Sequence, residues 1–340
     1  MNSLPTEMIT LILNFTDTRF LSGCKTVSHS FKKASERLIK VIQVSNNNRD
    51  SIPKLPFVTY SVESFGTPTK NVRNLLSEFP EKIESYQCHS ISDTLLNSMT
   101  NLTELIVKDC DLRYLFDTLT VSHLVKLTTL VSETFELGSI KTLTNLTKLD
   151  MIHSPHSEAV KSMSKLKDLT LRFDEPDVLE DLLVSLETIS ADIERFSVII
   201  QDNGDPHVIV KHCTKATSLT IVNEEQLYDL YDGSDFTSLK NLKELNLCGC
   251  HNIDGKYMKF LNLTSLTLST NFNETPTIED KDIIHMTNLE ELNLKNEKIS
   301  KSPSKCLRKL SMYVEHEFDF DGINDDVHTD IVFYEYDYEN

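Results

Sequence analysis

Apolar residues recur down nearly the whole chain in one order: apolar, two others, apolar, one other, apolar. Leu102, Leu105 and Val107 follow it, as do Leu166, Leu169 and Leu171, and Leu242, Leu245 and Leu247. So do Leu263, Leu266 and Leu268, and Leu289, Leu292 and Leu294. In eight copies two further apolar residues stand six and three positions upstream of the first. These pairs are Leu96 and Met99, Val121 and Leu124, Ile140 and Leu143, Val160 and Met163, Val210 and Cys213, Phe236 and Leu239, Tyr257 and Phe260, and Ile283 and Met286. A spacing of three keeps residues on one face of a helix, and a step of two is a strand. Each unit therefore reads as a helix feeding a short strand. No unit of that size buries its own apolar face, whereas stacked units do so in a solenoid.

Counted from the first apolar position, units begin at Ile83, Leu102, Leu127, Leu146, Leu166, Ile193, Ala216, Leu242, Leu263, Leu289 and Leu307. Two weaker ones begin at Ile39 and Phe57. The steps between the clear starts run from 18 to 27 residues, and the pattern resembles the leucine-rich repeat, with its period of roughly 20–29. After each strand that repeat favours Asn or Cys, and Cys110, Cys250 and Asn271 fall there. The run from Cys250 through Ile253 and Asp254 to Met258 and Leu261 resembles the cysteine-containing subclass. The resemblance implies an α/β fold: a curved parallel sheet with helices or turns on its convex side.

Alternation along each strand puts the leucines inward and their neighbours on the concave surface. The outward set is Ile106 and Lys108, Val131 and Glu133, Asp150 and Ile152, Thr170 and Arg172, Arg195 and Ile199, Val222, Asn246 and Cys248, Asn293 and Lys295, and Tyr313. Outward Thr and Asn suit any solvated sheet. Outward Ile106, Val131, Ile152, Ile199 and Val222 are expected to form an apolar stripe beside Arg172 and Arg195, and a contiguous stripe marks an interaction site. The expected target-binding residues are Ile106, Lys108, Val131, Ile152, Arg172, Arg195, Ile199, Val222, Cys248 and Tyr313.

Residues 1–38 do not fit the repeat. Pro5 and Glu7 mark a helix start, followed by apolar Ile9, Ile12 and Leu13. Phe20, Leu21, Cys24 and Val27 suggest a second short helix, and Phe31, Ala34 and Leu38 a third. The series Leu4-Pro5-x-Glu7-Met8-Ile9-x-x-Ile12-Leu13, then Leu21, then Val27-Ser28-His29-Ser30-Phe31 resembles an F-box, with Phe31 where that family most often carries Trp. The whole chain thus resembles the F-box/leucine-rich-repeat proteins, substrate receptors of cullin–RING ubiquitin ligases. That resemblance implies a Skp-type adaptor and cullin core gripped by Leu4, Pro5, Ile9, Ile12, Leu13, Leu21, Val27 and Phe31, and a target protein held by the repeats. The alternative is a leucine-rich-repeat scaffold whose first helices merely cap the solenoid. The expected division is 1–38 helical module, 39–314 repeats and 315–340 acidic tail or cap.

Charge narrows the partners. The net charge is −18, and residues 315–340 hold ten Asp and Glu with no Lys or Arg, leaving 34 basic against 42 acidic groups elsewhere. A nucleic-acid binder needs a basic surface, so no such partner is expected. Alternating apolar and acidic residues around Ile331, Phe333, Glu335, Tyr336 and Asp337 suggest a strand that covers the last repeat. There is no run of roughly 18 apolar residues to cross a membrane. Glu7 and Asp17 stand where a secretory leader would be basic and then apolar. Seven cysteines without paired spacing suit a reducing cytosol or nucleus.

Templates for catalysis fail. Gly249 to Gly255-Lys256 is one residue too long for a phosphate loop, and Tyr257 replaces its Ser or Thr. Cys248, Cys250 and His251 offer metal-ligand atoms, but in register Cys248 and Cys250 point to opposite faces. Glu317-x-Asp319-x-Asp321-Gly322 follows a calcium loop up to its glycine; Asn324 and His328 then depart from it. No cofactor, no metal and no enzymatic activity are expected.

Overall fold

The computed structural model describes residues 41–46, 59–65, 67–89, 91–108, 121–132, 140–152, 160, 162–173, 193–200, 210, 213–223, 233–249, 253–269, 278–295, 299, 304–314 and 327–333. The chain divides into two compact units, Met1–Leu143 and Thr144–Asn340.

The first unit holds five strands, β1 (Val41–Ser45), β2 (Thr59–Ser64), β3 (Ile83–Cys88), β4 (Glu104–Val107) and β5 (Thr129–Ser132). Each pairs in parallel with the next. The second unit continues with nine more: β6 (Lys148–Ile152), β7 (Asp168–Phe173), β8 (Arg195–Ile200), β9 (Ser218–Asn223), β10 (Glu244–Cys248), β11 (Ser265–Ser269), β12 (Glu291–Lys295), β13 (Lys309–Val314) and β14 (His328–Phe333). Here too every neighbour in sequence is a parallel neighbour in space. Two parallel strands need a crossover between them, and the repeat supplies one at every step.

Every repeat start read from the sequence leads into a strand. The two weak ones do so as well: Phe57 is followed by buried Tyr60 and Val62, and Ile39 by half-buried Ile42 and buried Val44. The register after Ile193 and Ala216 is regular, with Phe196, Val198, Leu219 and Ile221 inward and Ser197, Ile199, Thr220 and Val222 half-buried on the other face. Leucines stack on leucines across the sheet: Leu149, Leu169, Phe196, Leu219, Leu245, Leu266, Leu292 and Leu310 share one row of the core.

The segments before the strands differ from the expected helices. The longest described helix, α1 (Lys70–Glu78), has nine residues, capped where Thr69 accepts from the Val72 amide. α2 (Asp93–Ser98), capped by Ser92, and α3 (Asp280–Ile283) are shorter still. Elsewhere the apolar triplets lie in tight turns: Leu124 N–H donates to the Val121 carbonyl and Leu127 N–H to Leu124, each at 2.9 Å. The same bonds recur at Val160, Met163 and Leu166, and at Phe236, Leu239 and Leu242. A spacing of three is the period of the 3₁₀ turn, and that tighter element satisfies it with every third residue on one face.

One repeat breaks the upstream pattern. Tyr257 is half-buried and Phe260 is 49% exposed, whereas Met258 and Leu261 fill the core positions. The reason lies in the backbone. Leu239 ends its turn at ψ 59 and the chain makes another turn to Leu242, but Leu261 is extended at ψ 141 and leads straight to Leu263. One residue is missing from the turn, so the inward set shifts by one.

Side-chain donors tie successive repeats together just before the strands. Thr103, Thr128, Thr217 and Thr264 hydroxyls donate to the carbonyls of Glu84, Thr103, Glu194 and Lys243 at 3.0–3.2 Å. A step earlier, Lys126 donates to Asn101 Oδ1, Lys165 to Asn145 and Asn288 to Asn262. Cys110, Cys250 and Asn271, expected to bond the turn after each strand, lie outside the described residues. Asn46 does that job after β1, donating to the Phe65 carbonyl at 2.9 Å and accepting from Ser64 and the Thr69 amide.

Candidate functional site

The strands' solvent face is the candidate site, because the opposite face is the core. In the second unit, register sorts that face into three columns. The first carries charges: Lys148, Asp168, Arg195, Ser218, Glu244, Ser265, Glu291, Lys309 and His328. The second is small and polar: Thr170, Ser197, Thr220, Asn246, Thr267, Asn293 and Ser311, with Asp150 and Asp330 at its ends. The third runs Ile152, Arg172, Ile199, Val222, Cys248, Ser269, Lys295, Tyr313 and Val332.

Six of the ten residues expected to hold a target thus fall in one column: Ile152, Arg172, Ile199, Val222, Cys248 and Tyr313. Ile152 and Tyr313 belong by backbone register. Arg172, Ile199, Val222 and Cys248 are half-buried on the open face. Arg195 does not join them. It opens β8, four residues before Ile199 and so about 13 Å away along the strand. Its Nε donates to Asp168 Oδ2 at 3.2 Å, and Lys148 reaches the same carboxylate at 3.7 Å. An exposed ion pair of this kind adds little stability, and it neutralises Arg195 toward any partner.

Arg172 differs. Its Nε is buried and has no hydrogen-bond partner among the described residues. Its register neighbours are Ile152 and Ile199, and neither residue type offers its guanidinium an acceptor. An unsatisfied buried donor is a cost that the fold carries.

Cys248 lies further along the same column. Burial pushes its thiol above the usual range, partly offset by the Lys295 charge and a hydrogen bond to Ser269. A thiol so held is protonated near neutrality and contributes apolar surface here, not nucleophilicity. Ser269 and Lys295 complete the column between Cys248 and Tyr313. Ser269 was absent from the expected outward set, although its place as the fifth residue of its strand is equivalent to that of Cys248.

In the first unit Ile106 and Val131 are direct register partners, both half-buried. Lys108 is exposed just beyond Ile106, and its carbonyl accepts from His89 Nδ1 at 2.9 Å. The His89 ring stands 5.1 Å from that of Phe65, which is itself 36% exposed. This aromatic pair lies beside Lys108, whereas the row of Ile106 and Val131 continues through Gln87 and Glu63. The expected adaptor residues Leu4, Pro5, Ile9, Ile12, Leu13, Leu21, Val27 and Phe31 lie outside the described residues, as do Cys250, His251 and the acidic loop from Glu317 to Asn324.

An internalin of Listeria monocytogenes has a similar structure, with a TM-score of 0.52 over 97% of this chain and 98% of that chain, at 16% sequence identity. The fold is that of a leucine-rich-repeat protein. No family model matches the chain, and no curated protein matches it. Among the described residues no group of His, Cys, Asp and Glu is arranged to hold a metal ion, and no helix is long and apolar enough to cross a membrane. What the leucine-rich-repeat face offers is a regular surface: a charged edge, a polar middle and a partly apolar third column.

Proposed function

We propose that the chain is a leucine-rich-repeat scaffold that holds a partner protein on the open face of its strands. The observation that carries this reading is the alignment of Ile199 with Val222 as register partners, both half-buried among polar columns. The middle column of the same face carries Thr, Ser and Asn. Aligned β-branched aliphatics instead supply apolar contact area of the kind that anchors interfaces. Catalysis has no part in this reading.

Ile199→Asp tests it. The side chain is not in the core, so the folded state should melt within about 0.5 kcal/mol of the parent. Proteins retained by the full chain from cells of the source should be lost with the variant, measured by affinity purification. Unchanged retention would overturn the proposal. Unfolding of the variant, seen by circular dichroism, would place Ile199 in the core and overturn it too.

A second reading rests on the first 38 residues, whose Leu4-Pro5-x-Glu7-Met8-Ile9 series resembles an F-box. There the scaffold is a receptor subunit of a cullin–RING ligase: the N-terminal helices grip a Skp-type adaptor and the repeats present a target for ubiquitin transfer. The division into residues 1–38, 39–314 and 315–340 belongs to this reading. Replacing Leu4 and Pro5 together by Ala should abolish co-precipitation with a Skp-type adaptor, because apolar anchors of such interfaces cost on the order of 2 kcal/mol each when truncated. Adaptor binding by the folded double variant at the level of the parent would remove the ligase role and leave the scaffold.

A further inference from the structure

We infer that the third column of the second unit's open face recognises an acidic segment of a partner, with a carboxylate seated on Arg172. This rests on the scaffold reading and adds the partner's chemistry. Its first support is charge distribution. The chain carries a net charge of −18, yet from β6 to β14 this column contains no Asp or Glu, while it holds Arg172 and Lys295. The column at the other edge mixes both signs and pairs Asp168 with Lys148 and Arg195.

The second support is Arg172 itself. Its Nε is buried without an acceptor among the described residues. A guanidinium presents a planar fork of donors, and a carboxylate meets that fork with two parallel hydrogen bonds. Arg172 as a whole is only half-buried, so its terminal nitrogens, and not the buried Nε, are the donors that a partner's carboxylate meets. An ammonium-bearing segment would be repelled there, and a long polyanion would meet the carboxylates of the first column.

Geometry adds the intervening contacts. Ile199 and Val222 lie on the two strands after Arg172, and Lys295 three strands beyond Val222. At about 4.8 Å per strand, Arg172 and Lys295 are about 24 Å apart, which an extended peptide covers in about seven residues. The partner segment therefore carries two acidic residues about seven positions apart, with an apolar residue close after the first.

Selection of random dodecapeptides on the full chain tests this. The parent should enrich peptides with an acidic residue followed within two or three positions by an apolar one. Arg172→Glu should reverse that preference toward Lys or Arg, and Arg172→Lys should keep it with affinity lowered about tenfold, since an ammonium cannot bind bidentately. Both variants should melt like the parent. Peptides lost with Ile199→Asp but indifferent to the charge at Arg172 would overturn this inference and leave the scaffold reading standing. Peptides indifferent to both changes would overturn both. Failure to enrich any peptide, or equal competition by heparin, would also overturn the acidic-segment assignment.

Discussion

Replacing Gly249 by Ala should destabilise the protein by on the order of 3 kcal/mol, more than any single change on the open face. Gly249 leaves β10 at φ 69, where an L side chain costs about 1–2 kcal/mol on its own account. A Cβ at this position would also lie 2.1 Å from the carbonyl oxygen of Asn223 on the neighbouring repeat. That obstacle is backbone, so no rotamer change relieves it. The Gly249 N–H donates to the Ser269 carbonyl at 2.8 Å, and moving the chain to clear Asn223 strains that bond on the other side. Gly233 is the internal control. It too has a positive φ, 80, but its nearest neighbours are the side chains of Ile253 and Phe236. Those can shift, so Gly233→Ala should cost less. Equal melting temperatures for the two variants, or a Gly249→Ala protein as stable as the parent, would show that the turn after β10 is not constrained in this way.

Phe196→Ala should cost at least as much, about 3–5 kcal/mol. Phe196 is 2% exposed and takes the place that leucine holds in the adjacent strands, between Leu169 and Leu219. Its larger ring fills a repeat reached after the longest step in the array, 27 residues from Leu166 to Ile193. Truncation leaves a cavity walled by neighbours that are fixed by their own strands and cannot collapse into it. Phe196→Leu, which restores the residue used elsewhere, should cost less than about 1.5 kcal/mol. Chemical denaturation followed by circular dichroism separates the two, and hydrogen exchange at β7 and β9 should quicken in the alanine variant. Parity between the Ala and Leu variants would mean that the site is looser than its burial implies.

The strands were legible because their signal is strictly local. An inward residue must be apolar, its neighbours need not be, and a start such as Phe57 or Ala216 declares itself even when one leucine has been replaced. Helices were not legible in the same way. A spacing of three suits both an α-helix and a run of 3₁₀ turns, and Val121, Leu124 and Leu127 carry nothing that tells the two apart. Tyr257 and Phe260 misled for another reason: a deletion of one residue from a turn leaves the apolar count intact and moves only its phase.

The candidate site was half legible. Facing direction follows from register, so Ile199, Val222 and Cys248 were identifiable as outward from their positions alone. Which outward residues share a column is a matter of depth along the strand, and Arg195 shows the difference. It faces outward like Arg172 but sits at the opposite edge, where Asp168 neutralises it. Pairing between side chains 27 residues apart has no local trace in the sequence. The orphaned Nε of Arg172 could not be read there either, since it depends on what fails to surround it.

The shortened turn between Leu261 and Leu263 has a consequence for how such a chain diverges. Within each unit, every described strand is reached by a crossover of its own and pairs with its neighbours in sequence. A residue lost between β10 and β11 therefore alters one turn, and β11 still pairs with β12 in unbroken register. Insertions and deletions are absorbed where they arise. Lineages descending from one ancestor then drift in length repeat by repeat, and two descendants fall out of alignment while every strand in both keeps its neighbours. In an array of this kind ancestry fades from the sequence sooner than from the backbone.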